Sequence, residues 1–94
     1  MSLTDIQKTL CRALLDLSYE SGFRGYPIRM LAERTGVPEK EIFDAETETG
    51  HLWELGLHGS GSYAGFLSLD HSPSGSYVII MSDTRETLEK YVRY

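Results

Sequence analysis

The side chains best suited to chemistry are three histidines, His51, His58 and His71, and the serines between residues 60 and 76. A zinc site on one element needs histidines at close spacing with cysteines or carboxylates, and these histidines lack that spacing. A nucleophilic serine of the hydrolase type stands in a Gly-x-Ser-x-Gly turn between a strand and a helix, and none of these serines does. The sequence therefore predicts no catalysis, no metal site and no cofactor.

The charged side chains are the next candidates, and they are unevenly distributed. Nine basic and fourteen acidic residues give a net charge of −5, the wrong sign for a protein whose main task is to coat nucleic acid. Positive charge gathers at Arg24, Arg29 and Arg34, where it could follow a phosphate backbone. These arginines could equally be solvated charges, with Arg34 paired to an acidic neighbour. Carboxylates gather further along, around Lys40, at Glu39, Glu41, Asp44, Glu46 and Glu48.

Length and composition limit what these charges can belong to. A chain of 94 residues, 40% hydrophobic and 24% charged, predicts a single folded domain with one modest core. No apolar run approaches the roughly eighteen residues needed to span a bilayer, and the start of the chain lacks a secretory pattern, so a cytoplasmic location is expected. Cys11 lies on an apolar helical face and is predicted to be a buried packing residue.

The spacing of three residues indicates a helix-turn-helix. Ala32 is small enough for a second helix to approach, Gly36 supplies the left-handed backbone of a tight turn, and Ile42 would bury the far helix against the near one. This pattern predicts a helix over 28–35. A third helix is expected to begin near Pro38 and to reach a break near residue 50.

The first helix is marked by a capping box between Thr4 and Gln7 and by a terminal glycine, Gly22. A short edge strand is expected over 26–28, between this helix and the second. The apolar positions expected to face the core are Ile6, Leu10, Leu14 and Leu17.

The residue pattern in the second half of the sequence predicts a β-hairpin followed by a helix. Its strands are expected near 66–69 and 76–81, around a six-residue tip over 70–75. Asp83 and Glu86 form an acidic capping box for the final helix. Trp53 is expected to fill the core, whereas the final helix is expected to support a homodimer. The predicted dimer residues are Leu88, Tyr91 and Tyr94.

The sequence motif Leu-Ala-Glu-Arg-Thr-Gly-x-Pro over 31–38 resembles the helix-turn-helix of winged-helix transcription regulators, most closely that of the IclR-type amino-terminal domains. The resemblance covers about fifteen of the 94 residues. It implies an α+β winged helix-turn-helix over 1–94, with a three-helix core, a β-hairpin wing and a C-terminal helix.

The resemblance also implies binding of double-stranded DNA in transcription control. In that family the third helix enters the major groove and the wing touches the flanking backbone. His71 is the expected wing contact, alongside the three arginines ahead of the turn. The positions expected to face the groove are Glu39, Lys40, Phe43, Asp44 and Thr47.

A second function fits the same fold. The family usually places Lys, Ser, Thr and Arg on its third helix, whereas carboxylates predominate here and the 70–75 tip carries no Lys or Arg. Carboxylates beside a polyanion repel it. The alternative is therefore a winged-helix protein-interaction module that binds a basic partner through an acidic third helix, without DNA.

Overall fold

The computed structural model describes residues 3–56 and 66–92, which form an α+β fold. The α-helices in this part are α1 (Asp5–Ser21), α2 (Ile28–Thr35), α3 (Glu39–Ile42) and α4 (Ser82–Val92). The strands are β1 (Gly25–Pro27), β2 (Ser68–Ser72) and β3 (Gly75–Ile79), which form one antiparallel sheet in the order β1-β3-β2. A short 3₁₀ helix covers Trp53–Leu55. None of the described helices is long and apolar enough to cross a bilayer.

The start and end of α1 confirm the sequence prediction. The Thr4 hydroxyl accepts the Gln7 backbone N–H at 3.1 Å, the Gln7 side-chain oxygen accepts the Thr4 N–H at 2.9 Å, and Gly22 ends the helix at φ 86°. Leu10, Leu14 and Leu17 are buried as expected. Ile6 was predicted wrongly, because it is 41% exposed. Gln7, about 100° further round the helix, is buried instead and donates to the His51 carbonyl.

The helix-turn at Gly36 also agrees with the prediction. Helix α2 spans the expected residues, and Gly36 has φ 80° and ψ 1°, with its N–H donating to the Ala32 carbonyl at 2.8 Å. Leu31 and Ile42 on either side of the turn are fully buried. The edge strand β1 begins one residue earlier than expected.

Helix α3 is much shorter than predicted. It ends at Ile42, and Phe43 already has an extended backbone with φ −160°. The carbonyls of Glu41 and Ile42, which a longer helix would use internally, accept the N–H groups of His51 and Leu52 at 2.8 and 2.9 Å. The chain therefore folds back on α3, and the expected helix up to residue 50 is replaced by a turn.

The hairpin has a tighter tip than the six residues predicted. Ser72 pairs with Gly75, so only Pro73 and Ser74 form the turn. Strand β2 continues through Asp70, His71 and Ser72, although these residues lack an alternating apolar pattern, because their backbone pairs with β3. The corrected position of His71 is on β2, opposite Ser76.

The core lies between α1, α2, α4 and one face of the sheet. Leu14, Leu31, Val78 and Leu88 have no exposed surface. Helix α4 packs along α1 and begins one residue before Asp83, so that aspartate lies in the first turn and is not the N-cap predicted.

Cys11 belongs to this core, and its reactivity should report on the packing. The side chain is fully buried, and burial raises the pKa of its thiol to about 12. Because the thiolate is the reactive form, we expect a thiol reagent at neutral pH to modify the native protein at least about 100-fold more slowly than the denatured protein. Similar rates in the two states would contradict the burial of Cys11.

Candidate interaction surface

The negative charge of the protein is concentrated in one stretch, residues 39–54, called here the acidic segment. It contains one lysine and no arginine against six carboxylates, a net charge of −5 that equals that of the whole chain. The rest of the sequence is therefore neutral overall. The carboxylates are Glu39, Glu41, Asp44, Glu46, Glu48 and Glu54.

Buried apolar side chains fix the acidic segment to the fold at both ends. Ile42 and Leu52 have no exposed surface, and Gly50 lies so close to the Ile42 backbone that a Cβ atom would meet the Ile42 oxygen at 2.5 Å. Asp44 and Thr49 exchange backbone hydrogen bonds of 2.8 and 3.2 Å across the turn between them. The segment is thus a short helix, a closed turn and the start of the 3₁₀ helix, and five of its six acidic residues are exposed.

The charges of the acidic segment are largely uncompensated. Glu39, Glu41, Glu46 and Glu48 are exposed, and none forms an ion pair with any residue in 3–56 or 66–92. The Asp44 carboxylate differs, since it accepts the backbone N–H groups of Glu46 and Thr47 at 3.0 and 3.4 Å and so orders the turn. The outer surface of this turn carries negative charge that a basic partner could neutralise.

Three of the five residues expected to face a DNA groove lie elsewhere. Phe43 is buried and stacks on Trp53, with ring centroids 5.5 Å apart, so it is not a groove residue. Asp44 and Thr47 lie on the turn and not on a helix. The other two of the five, Glu39 and Lys40, are exposed on α3. Trp53, expected in the core, is partly buried against it.

The arginines ahead of the turn do not form one continuous face. Arg29 and Arg34 are five residues apart on α2, which places them about 140° apart around the helix. Arg34 donates to both carboxylate oxygens of Glu20 at 2.8 and 2.9 Å, which lowers the pKa of Glu20 and raises that of Arg34. Arg24 is exposed just before β1 and lies over the Tyr26 ring at 5.6 Å.

Arg29 contributes to a small groove between α2, α3 and the hairpin. The groove also contains Glu39 and the hydroxyl side chains Ser74, Ser76 and Tyr77. His71 lies on the same hairpin, with its Nδ1 2.9 Å from the Ser76 hydroxyl. One arginine and several hydroxyls could hold an anion here, although the Glu39 carboxylate opposes it.

The predicted dimer surface on α4 is not available as expected. Leu88 has no exposed surface, because α4 lies against α1 and directs this side chain into the core. Tyr91 is partly buried and stacks on Phe66 with ring centroids 5.1 Å apart. Tyr94 lies outside the described residues.

A different exposed apolar surface was missed by the sequence analysis. Tyr19, Phe23 and Met81 are 58%, 47% and 54% exposed, and Arg85 lies between the two rings. These four residues are called here the aromatic patch. Tyr19 lies off the buried stripe of α1, but Phe23 follows the glycine that ends the helix, so no helical spacing in the sequence indicated that the two rings form a pair.

No protein-family model, curated protein or solved structure matches this chain. Within the described residues, no group of three histidine, cysteine or carboxylate side chains is arranged to hold a metal ion. The class that the structure defines is an α+β fold with a three-stranded antiparallel sheet. The candidate site is the acidic segment, on which Lys40, Glu41, His51 and Glu54 line a cleft.

Proposed function

We propose that this protein is a winged-helix protein-interaction module whose acidic segment binds a basic surface of a partner protein. The element order, the left-handed turn at Gly36 and the sheet order β1-β3-β2 are compatible with a winged-helix arrangement. The observation that carries the function is the concentration of the whole net charge of −5 in the exposed acidic segment. The proposal keeps the cytoplasmic location expected from the sequence.

The dimensions of α3 favour a protein over DNA as the partner. A four-residue helix is only about 6 Å long, too short to place successive turns along a major groove. The carboxylates around it would also face closely spaced phosphates, which they repel. A basic protein surface would instead attract these carboxylates, and the complementary charges would set the orientation and register of the complex.

Binding of double-stranded DNA is a second candidate, favoured by one observation. The groove around Arg29 combines a guanidinium with the hydroxyls of Ser74 and Ser76, groups that bind phosphate oxygens. A duplex held there would lie across α2 and the hairpin. The neighbouring Glu39 would weaken such binding.

The test uses fluorescence anisotropy with two labelled probes, a short peptide rich in Lys and Arg and a mixed-sequence DNA duplex. Replacing Glu39, Glu41 and Glu46 by glutamine should weaken peptide binding at least about tenfold, because the charges facing the peptide are removed. The matched control replaces Glu33, Glu86 and Glu89 by glutamine, an equal change of net charge on α2 and α4. It should bind the peptide nearly as well as the native protein.

Equal losses in both triple variants would contradict a local acidic site, since net charge alone would then explain the binding. The native protein should not bind the duplex detectably at physiological salt. Duplex binding that is weakened by Arg29→Ala, with a salt slope reduced by about one charge, would instead support the DNA candidate.

A further inference from the structure

The aromatic patch is an ordered surface in which one arginine is held between two rings. The Arg85 guanidinium carbon lies 4.3 Å from the centroid of the Tyr19 ring and 4.3 Å from that of Phe23. Its Nε donates to the Ser18 hydroxyl at 3.1 Å and its Nη2 to the Ser18 carbonyl at 2.5 Å. Met81 lies one helical turn before Arg85 and extends the apolar surface. Exposed aromatic residues around an ordered arginine are typical of the centres of protein interfaces.

The patch also offers hydrogen-bond donors. The two bonds to Ser18 leave the other N–H groups of the Arg85 guanidinium without an acceptor among the described residues. Arg24, the residue after Phe23 in the chain, is also exposed and carries a second positive charge. A partner that covers the patch therefore needs carboxylates or carbonyls next to its apolar contacts. Two patches packed against each other would instead bring two Arg85 side chains together.

The patch and the acidic segment lie at opposite ends of α1. Gln7 in the first turn donates to the His51 carbonyl of the acidic segment at 3.0 Å, whereas Tyr19 is in the last turn. Their separation of twelve positions corresponds to about 18 Å along the helix axis. This separation keeps the two surfaces of one molecule from contacting each other.

We infer that the aromatic patch binds the acidic segment of a second copy of this chain, so that copies associate head to tail. This inference rests on the proposed function, because it names a second copy of the chain as the partner that the acidic segment recognises. The acidic segment supplies unpaired carboxylates for the free donors of Arg85 and for Arg24, and the chain outside that segment is neutral and adds no net repulsion. A head-to-tail contact leaves one patch and one acidic segment uncovered at the two ends, so further copies can add.

Sedimentation velocity over a concentration series tests the inference. The native protein should show a weight-average mass that rises at least about twofold with concentration and falls again at high salt. Two variants should each remain monomeric. One replaces Glu39, Glu41 and Glu46 by glutamine, and the other replaces the exposed Phe23 and Met81 by serine.

A mixture of the two variants gives the decisive result. The first keeps an intact patch and the second an intact acidic segment, so the mixture should form a heterodimer with one copy of each and nothing larger. Self-association of the glutamine variant alone would overturn the inference, because it would mean contact between patches. A native protein that stays monomeric at all concentrations would also overturn it, while loss of peptide binding in the same glutamine variant would still support the proposed function.

Discussion

Gly50→Ala is expected to destabilise the protein by at least about 3 kcal/mol. Gly50 has φ 124°, which side chains rarely adopt, and its added Cβ would lie 2.5 Å from the Ile42 oxygen and 2.8 Å from the Phe43 Cα. Both obstacles are backbone atoms that cannot rotate away. The free energy of unfolding from denaturant titration measures the effect.

Gly36→Ala provides the matched control for this prediction. Gly36 also has a positive φ, 80°, but a Cβ there would meet no heavy atom within 4 Å. Its cost should therefore be only the left-handed backbone term, about 1 to 2 kcal/mol. If Gly50→Ala costs no more than Gly36→Ala, the chain does not fold back on α3 as described.

Gln7→Glu should destabilise the protein at neutral pH by about 1 to 3 kcal/mol, although glutamate suits a capping box as well as glutamine does. The buried Gln7 amide donates to the His51 carbonyl at 3.0 Å and lies 3.5 Å from a Glu54 oxygen. A carboxylate in this place loses the donor and faces two acceptors. Thermal or denaturant unfolding at neutral pH would measure the loss.

The pH dependence of this variant has a definite sign. The introduced carboxylate is disfavoured when ionised, so its pKa in the folded protein rises above that in the unfolded chain. The loss in free energy of unfolding relative to the native protein is therefore present at high pH, and it shrinks as the pH falls through the raised pKa of the introduced carboxylate. A deficit that is independent of pH, or a gain in stability at neutral pH, would contradict the contact between α1 and the acidic segment.

Local signals in the sequence predicted the parts of the fold that depend on local physics. The capping box at Thr4, the terminal Gly22 and the left-handed Gly36 each satisfy backbone groups within a few residues. Such features are encoded by neighbouring side chains. They fixed α1, α2 and the turn that follows to within a residue.

The features that failed depend on contacts distant in sequence. The length of α3 is set by hydrogen bonds from His51 and Leu52, about ten residues away. Leu88 is buried only because α4 packs along α1. The same distinction holds for the candidate surfaces. The acidic residues could be predicted from the sequence, whereas the aromatic patch could not, because it forms only when Arg85 of α4 contacts Tyr19 and Phe23.

The most direct test of the central claim is a map of amide shifts in a ¹⁵N-labelled protein during titration with the Lys- and Arg-rich peptide and with the DNA duplex. An acidic protein-binding surface predicts peptide-induced changes over residues 39–54, around Glu41 and Glu46, and no saturable changes with the duplex at physiological salt. Saturable duplex-induced changes at Arg29 and along the hairpin, with the acidic segment unaffected by peptide, would contradict it.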